Sequence, residues 1–241
     1  MRQTSMTKSA VSTLFDSIAH RYDLLNHVLS LSIDRLWRRR LLRMAKARPE
    51  DTVLDVCTGT GDIAAAFLRA VPGIRVYGVD FSPKMLEGGR RKVGEIRPGA
   101  GKNLLPGDAQ ALPFVDGVFD IVTMGFGLRN LPDKPGGIRE AARVLKPGGQ
   151  LFILEFAPPQ SSLLLIPYRF YLGRILPIIG GVVSANRDAY NYLADSIHGF
   201  LRPEDVEALM TESGLIEVTS HSMTGGMVYI YRGVKGKGDG S

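Results

Sequence analysis

Between Asp51 and Glu155 the chain alternates two kinds of apolar pattern. Short runs at 53–56, 75–79, 103–106, 119–124 and 151–155 have strand length and are bounded by turn residues. The segments between them space apolar side chains three and four positions apart and end in breakers. The helix after residues 53–56 runs to about Ala70 and stops at Pro72-Gly73, and a helix over 138–145 is closed by Lys146-Pro147-Gly148-Gly149. Ser82 offers a side-chain cap for another helix, with Pro83 at its first position. Repeated strand–helix units of this length predict a parallel sheet covered on both faces. A helix over 203–213 and two alternating segments, 215–221 and 227–232, predict a terminal hairpin, which brings the total to seven strands and makes the sheet mostly parallel.

The flanks follow other rules. Residues 1–10 read as disordered, and Val11, Leu14, Phe15, Ile18 and Ala19 then recur at helical spacing. Residues 23–32 suit a short helix or lid. Residues 33–47 predict an amphipathic helix with Leu36, Trp37, Leu41, Leu42 and Met44 against a row of arginines, ended by Pro49. The stretch 157–200 breaks the rhythm. Its apolar part, 163–183, has the length of a membrane span, but Arg169, Arg174 and two prolines within it argue for short helices forming an inserted cap. The chain therefore reads as one domain: a basic helical lid (1–50), a core (51–156), the cap (157–200), a terminal helix and strands (201–233) and a disordered tail (234–241).

Hydrophobic residues at 44% and charged residues at 22% are those of an ordinary globular protein with a substantial core. One cysteine, Cys57, rules out an intramolecular disulfide and predicts a cytoplasmic address; residues 1–13 carry no apolar run of the signal-peptide kind. Residues 1–50 hold ten Lys/Arg and four Asp/Glu, which accounts for the whole net charge of +6. That segment is either a solvated helix face or a surface for anionic lipid or an acidic partner. No nucleic-acid motif or aromatic platform accompanies it.

The chemistry starts at Val53-Leu54-Asp55-Val56-Cys57-Thr58-Gly59-Thr60-Gly61-Asp62. A strand runs into a Gly-x-Gly turn and a helix N-terminus, the arrangement that brings backbone N–H groups to a ligand; Gly59 and Gly61 allow close approach. About twenty residues on, Asp80 ends the second strand, where a carboxylate can accept from both hydroxyls of a ribose. Gly59 to Ala64 fits G-x-G-x-x-A, which nicotinamide and flavin enzymes share, so the loop alone predicts only a nucleoside. Asp108 and Ala109 follow the third strand, where an adenine edge could be read, and the closing hairpin suits a sheet with an antiparallel strand.

LDVCTGTGD, YGVDFSPKML, GDAQALPF, FDIV and RVLKPGG together resemble the signature runs of class I S-adenosylmethionine-dependent methyltransferases, which have a Rossmann-like α/β fold. FDSIAHRYDLLN, GFGLRNLPD, LEFAPP and YNYLADSI narrow the resemblance to the quinone C-methyltransferases of the menaquinone and ubiquinone pathways, over about residues 15–233. The resemblance implies S-adenosylmethionine held by Asp55, Gly59, Thr60, Gly61, Asp80, Phe81, Asp108 and Ala109. It implies Arg129, Asn130 and Tyr22 at the acceptor. Ubiquinone-branch enzymes usually carry Ser where this chain has Gly125, which favours the menaquinone branch.

The reaction so implied is C-methylation of a prenylated naphthoquinol, demethylmenaquinol to menaquinol. A benzoquinol, another small apolar acceptor or nicotinamide chemistry are the alternatives. A reduced quinol needs deprotonation and phenolate stabilisation, not a covalent nucleophile or a metal. Arg129 cannot be a base, but could orient a water and stabilise a phenolate, or could instead pair with Asp133. Asn130 could bond a quinol oxygen or cap its turn. Tyr22 and Asp23 could close a lid, with His20 one turn earlier, and Glu155 ends the fifth strand beside the site. The apolar residues of 163–183 would line an isoprenoid groove, touch the inner face of a membrane, or pack in a cap or an oligomer interface.

Overall fold

The computed structural model describes Asp16, residues 33–158, Tyr192 and residues 195–237. Tyr22, His20 and Asp23, the apolar cap residues 163–183 and the tail beyond residue 237 lie outside the described residues.

Twelve elements carry the description. They are α1 (Asp34–Ala45), β1 (Thr52–Val56), α2 (Asp62–Ala70), β2 (Arg75–Asp80), α3 (Pro83–Ile96), β3 (Leu104–Pro106), β4 (Phe119–Gly125), α4 (Lys134–Val144), β5 (Leu145–Phe156), α5 (Pro203–Glu212), β6 (Leu215–Met223) and β7 (Val228–Lys235). The strands form one seven-stranded sheet in the order β3-β2-β1-β4-β5-β7-β6. β1 pairs in parallel with β2 and β4, β2 with β3, and β4 with β5, whereas β7 is antiparallel to both β5 and β6. This is the mostly parallel, Rossmann-like sheet expected, and strand order reverses at β1, beside β4. That switch point puts a crevice at the carboxyl ends of β1, β2 and β4.

The sheet separates two cores. One face packs Leu54, Val122 and Ile153 against Ile138 and Ala141 of α4 and Val206 and Met210 of α5. The other packs Val53, Ile121 and Phe152 against Trp37 and Leu41 of α1, Ile63 and Phe67 of α2, and Leu86 and Val93 of α3. Every residue of β1 is buried, as a strand covered on both sides requires.

Three expectations change. α4 starts at Lys134 rather than 138, because the Asp133 side chain accepts from Gly136 N at 2.8 Å and Pro135 sits in the first turn. β5 begins at Leu145 and carries the Lys-Pro-Gly-Gly stretch within it; a register shift between Phe119 and Ile121, together with Gly148 at φ 79°, absorbs the turn. In α1 the inward stripe is rotated from the expected one. Leu36 is 53% exposed, while Arg38 is buried between Asp34 and Asp62, the latter at 2.7 Å. Asp62 also receives Lys92 Nζ at 2.6 Å, so one carboxylate at the start of α2 ties α1 to α3. The remaining arginines of α1 (Arg35, Arg39, Arg40 and Arg43) face outward.

Two of the three glycines of α3 have opposite roles. A Cβ on buried Gly89 would meet Gly59 O at 3.1 Å, the Thr60 carbonyl carbon at 3.2 Å and Leu104 Cδ1 at 3.0 Å, whereas one on Gly94 meets nothing within 4 Å. Helix propensity favours alanine at both sites, but at Gly89 the backbone of the β1–α2 loop stands in the way. Gly89→Ala should therefore lower the unfolding free energy by about 1–3 kcal/mol in urea titration. Gly94→Ala should raise it by roughly 0.5–1 kcal/mol. Equal stabilisation by both would show that α3 does not press on the loop.

Candidate functional site

The crevice is built from the turns that follow β1, β2, β3 and β4. After β1 the chain takes left-handed conformations at Cys57 (φ 56°), Gly59 (φ 54°) and Gly61 (φ 76°), which folds the loop back over the sheet. Thr58 N donates to Val79 O at 3.0 Å, fastening the loop to β2. Below it Asp55 is 1% exposed and accepts from Thr58 Oγ1 at 2.7 Å and Thr123 Oγ1 at 2.8 Å. Burial raises its carboxyl to about 6, and the two threonine hydroxyls oppose the shift.

Asp80 joins the turns. Its Oδ2 accepts from Gly59 N at 2.7 Å and its Oδ1 from Ser82 N at 2.9 Å. Gly107 N, after β3, donates to the Asp80 carbonyl at 3.0 Å. Burial raises the Asp80 carboxyl to about 6 against these backbone donors, and the charge of Asp16 pushes the same way as burial. Ser82 Oγ accepts from Met85 N, the cap anticipated for this helix, and donates to Asp16 Oδ1 at 2.5 Å. Asp16 belongs to FDSIAHRYDLLN, so one described residue of that segment stands beside the Asp80 turn.

A cavity of about 260 Å³ opens here. Asp80 and Phe81 form one side, and Phe81 is 37% exposed. Gly107, Asp108, Ala109 and Gln110 form another, and Cys57 and Val79 lie between them. Asn130, Leu131 and Pro132 close the wall beyond β4. Asp108 is held by Gln110, whose backbone N donates to Oδ1 at 2.9 Å, and Gln110 Oε1 in turn accepts from Asp133 N at 2.8 Å. The Cys57 thiol is pushed well up by burial and then by the surrounding carboxylates, Asp80 first, so it stays protonated.

Beyond β4, Arg129 and Glu155 form a buried ion pair with Nη1 and Oε1 2.8 Å apart and side chains 5% and 0% exposed. Glu155 also accepts from Arg129 N at 3.1 Å and Phe156 N at 2.9 Å. Arg129 Nη1 donates to Phe126 O at 2.6 Å, and its guanidinium carbon lies 5.5 Å from the centre of the Phe156 ring. Phe126, Phe156 and Trp37 cluster with centroids 4.7–6.0 Å apart, and Trp37 Nε1 donates to Thr224 Oγ1 at 2.8 Å.

The expected site residues thus divide. Asp80, Phe81, Asp108, Ala109 and Asn130 meet around one cavity. Gly59, Thr60 and Gly61 shape the adjoining loop without being among the described residues of the wall. Asp55, expected at the ligand, lies beneath the loop and braces it through two threonines. Arg129, expected to face the acceptor or to pair with Asp133, is instead held inward by Glu155; Asp133 caps α4 and lies 3.6 Å from Arg139. Cys57, Gln110 and the 131–132 dipeptide were not anticipated. Their sequence signal is position alone, each adjoining a residue that was.

Set against known proteins, residues 2–235 match the model of the ubiE/COQ5 methyltransferase family. A relative from Thermus thermophilus named demethylmenaquinone methyltransferase is 44% identical over 91% of this chain and 99% of its own length. A ubiquinone/menaquinone biosynthesis C-methyltransferase UbiE from Pseudomonas paraeruginosa is 41% identical over 96% of this chain and 91% of its own. Among solved structures, a Thermotoga maritima S-adenosylmethionine-dependent methyltransferase, described as a possible histamine N-methyltransferase, superposes with a TM-score of 0.64. It is 20% identical, over 92% of this chain and 98% of that one. A Haemonchus contortus phosphoethanolamine N-methyltransferase in complex with S-adenosyl-L-methionine gives 0.60 at 17% identity, over 81% and 51% of the two chains. These two likenesses show the fold.

The Arg129–Glu155 pair makes a quantitative expectation. Arg129→Ala leaves a buried carboxylate uncompensated and should cost about 3–5 kcal/mol, a fall in Tm of roughly 10 °C. Arg139→Ala removes only an exposed partner of Asp133 and should stay within about 0.5 kcal/mol of the parent. Thermal unfolding of the two variants checks both, and equal small shifts would deny the buried pair its structural weight.

Proposed function

The chain belongs to the ubiE/COQ5 methyltransferase family, and we propose that its acceptor is a prenylated naphthoquinol, demethylmenaquinol, which it methylates on a ring carbon to give menaquinol. It is an S-adenosylmethionine-dependent quinone C-methyltransferase. The observation that carries the finer reading is the relative named for demethylmenaquinone, matched over 99% of its length. Gly125 supports it, standing where sequences of the ubiquinone branch usually carry Ser.

The cavity fits the donor on its own terms. Asp80 sits where ribose hydroxyls would meet a carboxylate, Phe81 offers an exposed aromatic face, and Asp108 with Ala109 offers an edge for adenine. When bound, S-adenosylmethionine supplies a methyl group on a sulfonium, already activated toward a carbon nucleophile. The residues of the chain contribute orientation and charge. Asn130, on the wall beyond β4, is the polar group for an acceptor oxygen. Arg129 fixes that wall from behind, with its charge balanced by Glu155. No helix among the described residues is long and apolar enough to cross a membrane. The outward arginines of α1 and exposed Leu36 suit contact with an anionic lipid surface, from which a prenylated acceptor would be drawn.

Two measurements follow. Asp80 should protonate as pH falls through about 6, losing acceptor capacity, so the Kd for S-adenosylhomocysteine should rise between pH 7.5 and 5, by up to roughly tenfold per unit. Asp80→Asn should bind weakly at pH 7.5 and show no such slope; a slope that survives in this variant would belong to Asp55 instead. The second measurement offers reduced naphthoquinol and benzoquinol, both prenylated, in competition from neutral or anionic vesicles. Methyl should go mainly to the naphthoquinol, and faster from anionic vesicles. Preference for the benzoquinol would overturn the acceptor assignment, and indifference to vesicle charge would remove the lipid contact.

A further inference from the structure

Among the described residues, Tyr192, toward the far end of the 157–200 stretch, is hydrogen-bonded to the cavity wall beyond β4. The Tyr192 hydroxyl donates to Asn130 Oδ1 at 3.0 Å. Asn130 Nδ2 donates to the Phe126 carbonyl at 3.3 Å. A carbonyl only accepts, so the NH2 end of the amide must face Phe126 and the oxygen end must face Tyr192. Flipping the amide would set oxygen against oxygen at Phe126 and leave the Tyr192 hydroxyl facing an NH2 group. The Phe126 carbonyl is itself pinned. It accepts from Arg129 Nη1, which the buried Glu155 holds, and Phe126 keeps φ at 56°. Burial lifts the Tyr192 phenol above its ordinary value; Arg129 opposes this and Glu155 adds to it, so Tyr192 stays an O–H donor at neutral pH.

Resting on the acceptor assigned above, we propose that Tyr192 is a positioning residue for methyl transfer, which by donating to Asn130 Oδ1 fixes the amide so that its second Nδ2–H is offered to the acceptor's ring oxygen. That oxygen is where negative charge activates the neighbouring carbon. The sequence O–H to O=C–N–H to oxygen polarises in one direction, so the first bond strengthens the last. The arrangement also makes turnover sensitive to the stretch that delivers Tyr192, while leaving the Asp80 side of the cavity untouched.

The test is Tyr192→Phe in the full chain, assayed with reduced demethylmenaquinol and S-adenosylmethionine. We expect kcat to fall about tenfold, with the Kd for S-adenosylhomocysteine within about twofold of the parent and Tm unchanged. Asn130→Ala should cost at least as much, and adding Tyr192→Phe to it should cost nothing further. If Tyr192→Phe folds poorly, 3-fluorotyrosine at position 192, a stronger donor of nearly the same size, should hold kcat at or above the parent value. Parental kcat in Tyr192→Phe, additive losses in the double variant, or a fluorotyrosine enzyme slower than the parent would each overturn the proposal. Failure of the parent protein to methylate any quinol would instead sink the acceptor assignment, and this proposal with it.

Discussion

Two backbone N–H groups converging on the Asp80 carboxylate hold this structure's working end together. Gly59 belongs to the loop after β1 and Ser82 to the start of α3, and each bonds a different oxygen of the same side chain. The bond to Gly59 requires the loop to double back, which the left-handed residues Cys57, Gly59 and Gly61 permit. It also requires α3 to lie close, which Gly89 permits. Remove the carboxylate and the β1 loop and the start of α3 lose their common fastening, whereas Gly107 keeps its bond to the Asp80 backbone carbonyl.

That fastening has a thermodynamic cost. Asp55 and Asp80 both have folded-state values near 6, above the 3.8 of an exposed carboxyl, with burial as the first cause. The folded protein therefore takes up protons as pH falls from 6 toward 4. Any stability this gives is present at low pH and lost as pH rises through about 6. At neutral pH the site keeps two buried, ionised carboxylates against the preference of the fold. The Asp55 carboxylate accepts from two threonine hydroxyls that shape the loop, and the Asp80 carboxylate accepts from the backbone N–H groups of Gly59 and Ser82. The offset comes from elsewhere, in the two apolar cores that enclose β1.

Most of the fold was legible because its signals are local. The core strands are apolar runs, prolines and glycines follow the ends of α2 and α3, and the Ser82-Pro83 cap formed as the sequence indicated. The meeting of Asp80, Phe81, Asp108 and Ala109 around one cavity was legible for the same reason: they lie at strand ends, and topology alone brings strand ends together. What periodicity could not supply was pairing. Nothing near Arg129 in the chain favours Glu155, 26 residues away, over Asp133, four residues away; only the β4–β5 register does so. Likewise Arg38 looked like one more solvated arginine until α2 placed Asp62 against it. The start of α4 is hidden for a different reason, since Asp133 can serve either as a cap or as an ion-pair partner and only the fold selects the cap.

The two sides of the cavity are thus built by different physics. The Asp80 side is a set of turn-to-turn hydrogen bonds among strand ends that the parallel sheet brings together. The side beyond β4 rests on side-chain contacts between residues far apart in the chain. These are Arg129 to Glu155 behind the wall, Tyr192 to Asn130 across 62 residues, and Trp37 to Thr224 across 187, against the Phe126 and Phe156 rings. Tyr192 joins the β4 turn to a segment outside the sheet, Trp37 joins α1 to the β6–β7 turn, and Glu155 reaches Arg129 from β5 within the sheet. A change at Tyr192 or at the Trp37–Thr224 contact leaves the Gly59 and Ser82 bonds to Asp80 in place, because neither contact shares an atom with that clamp.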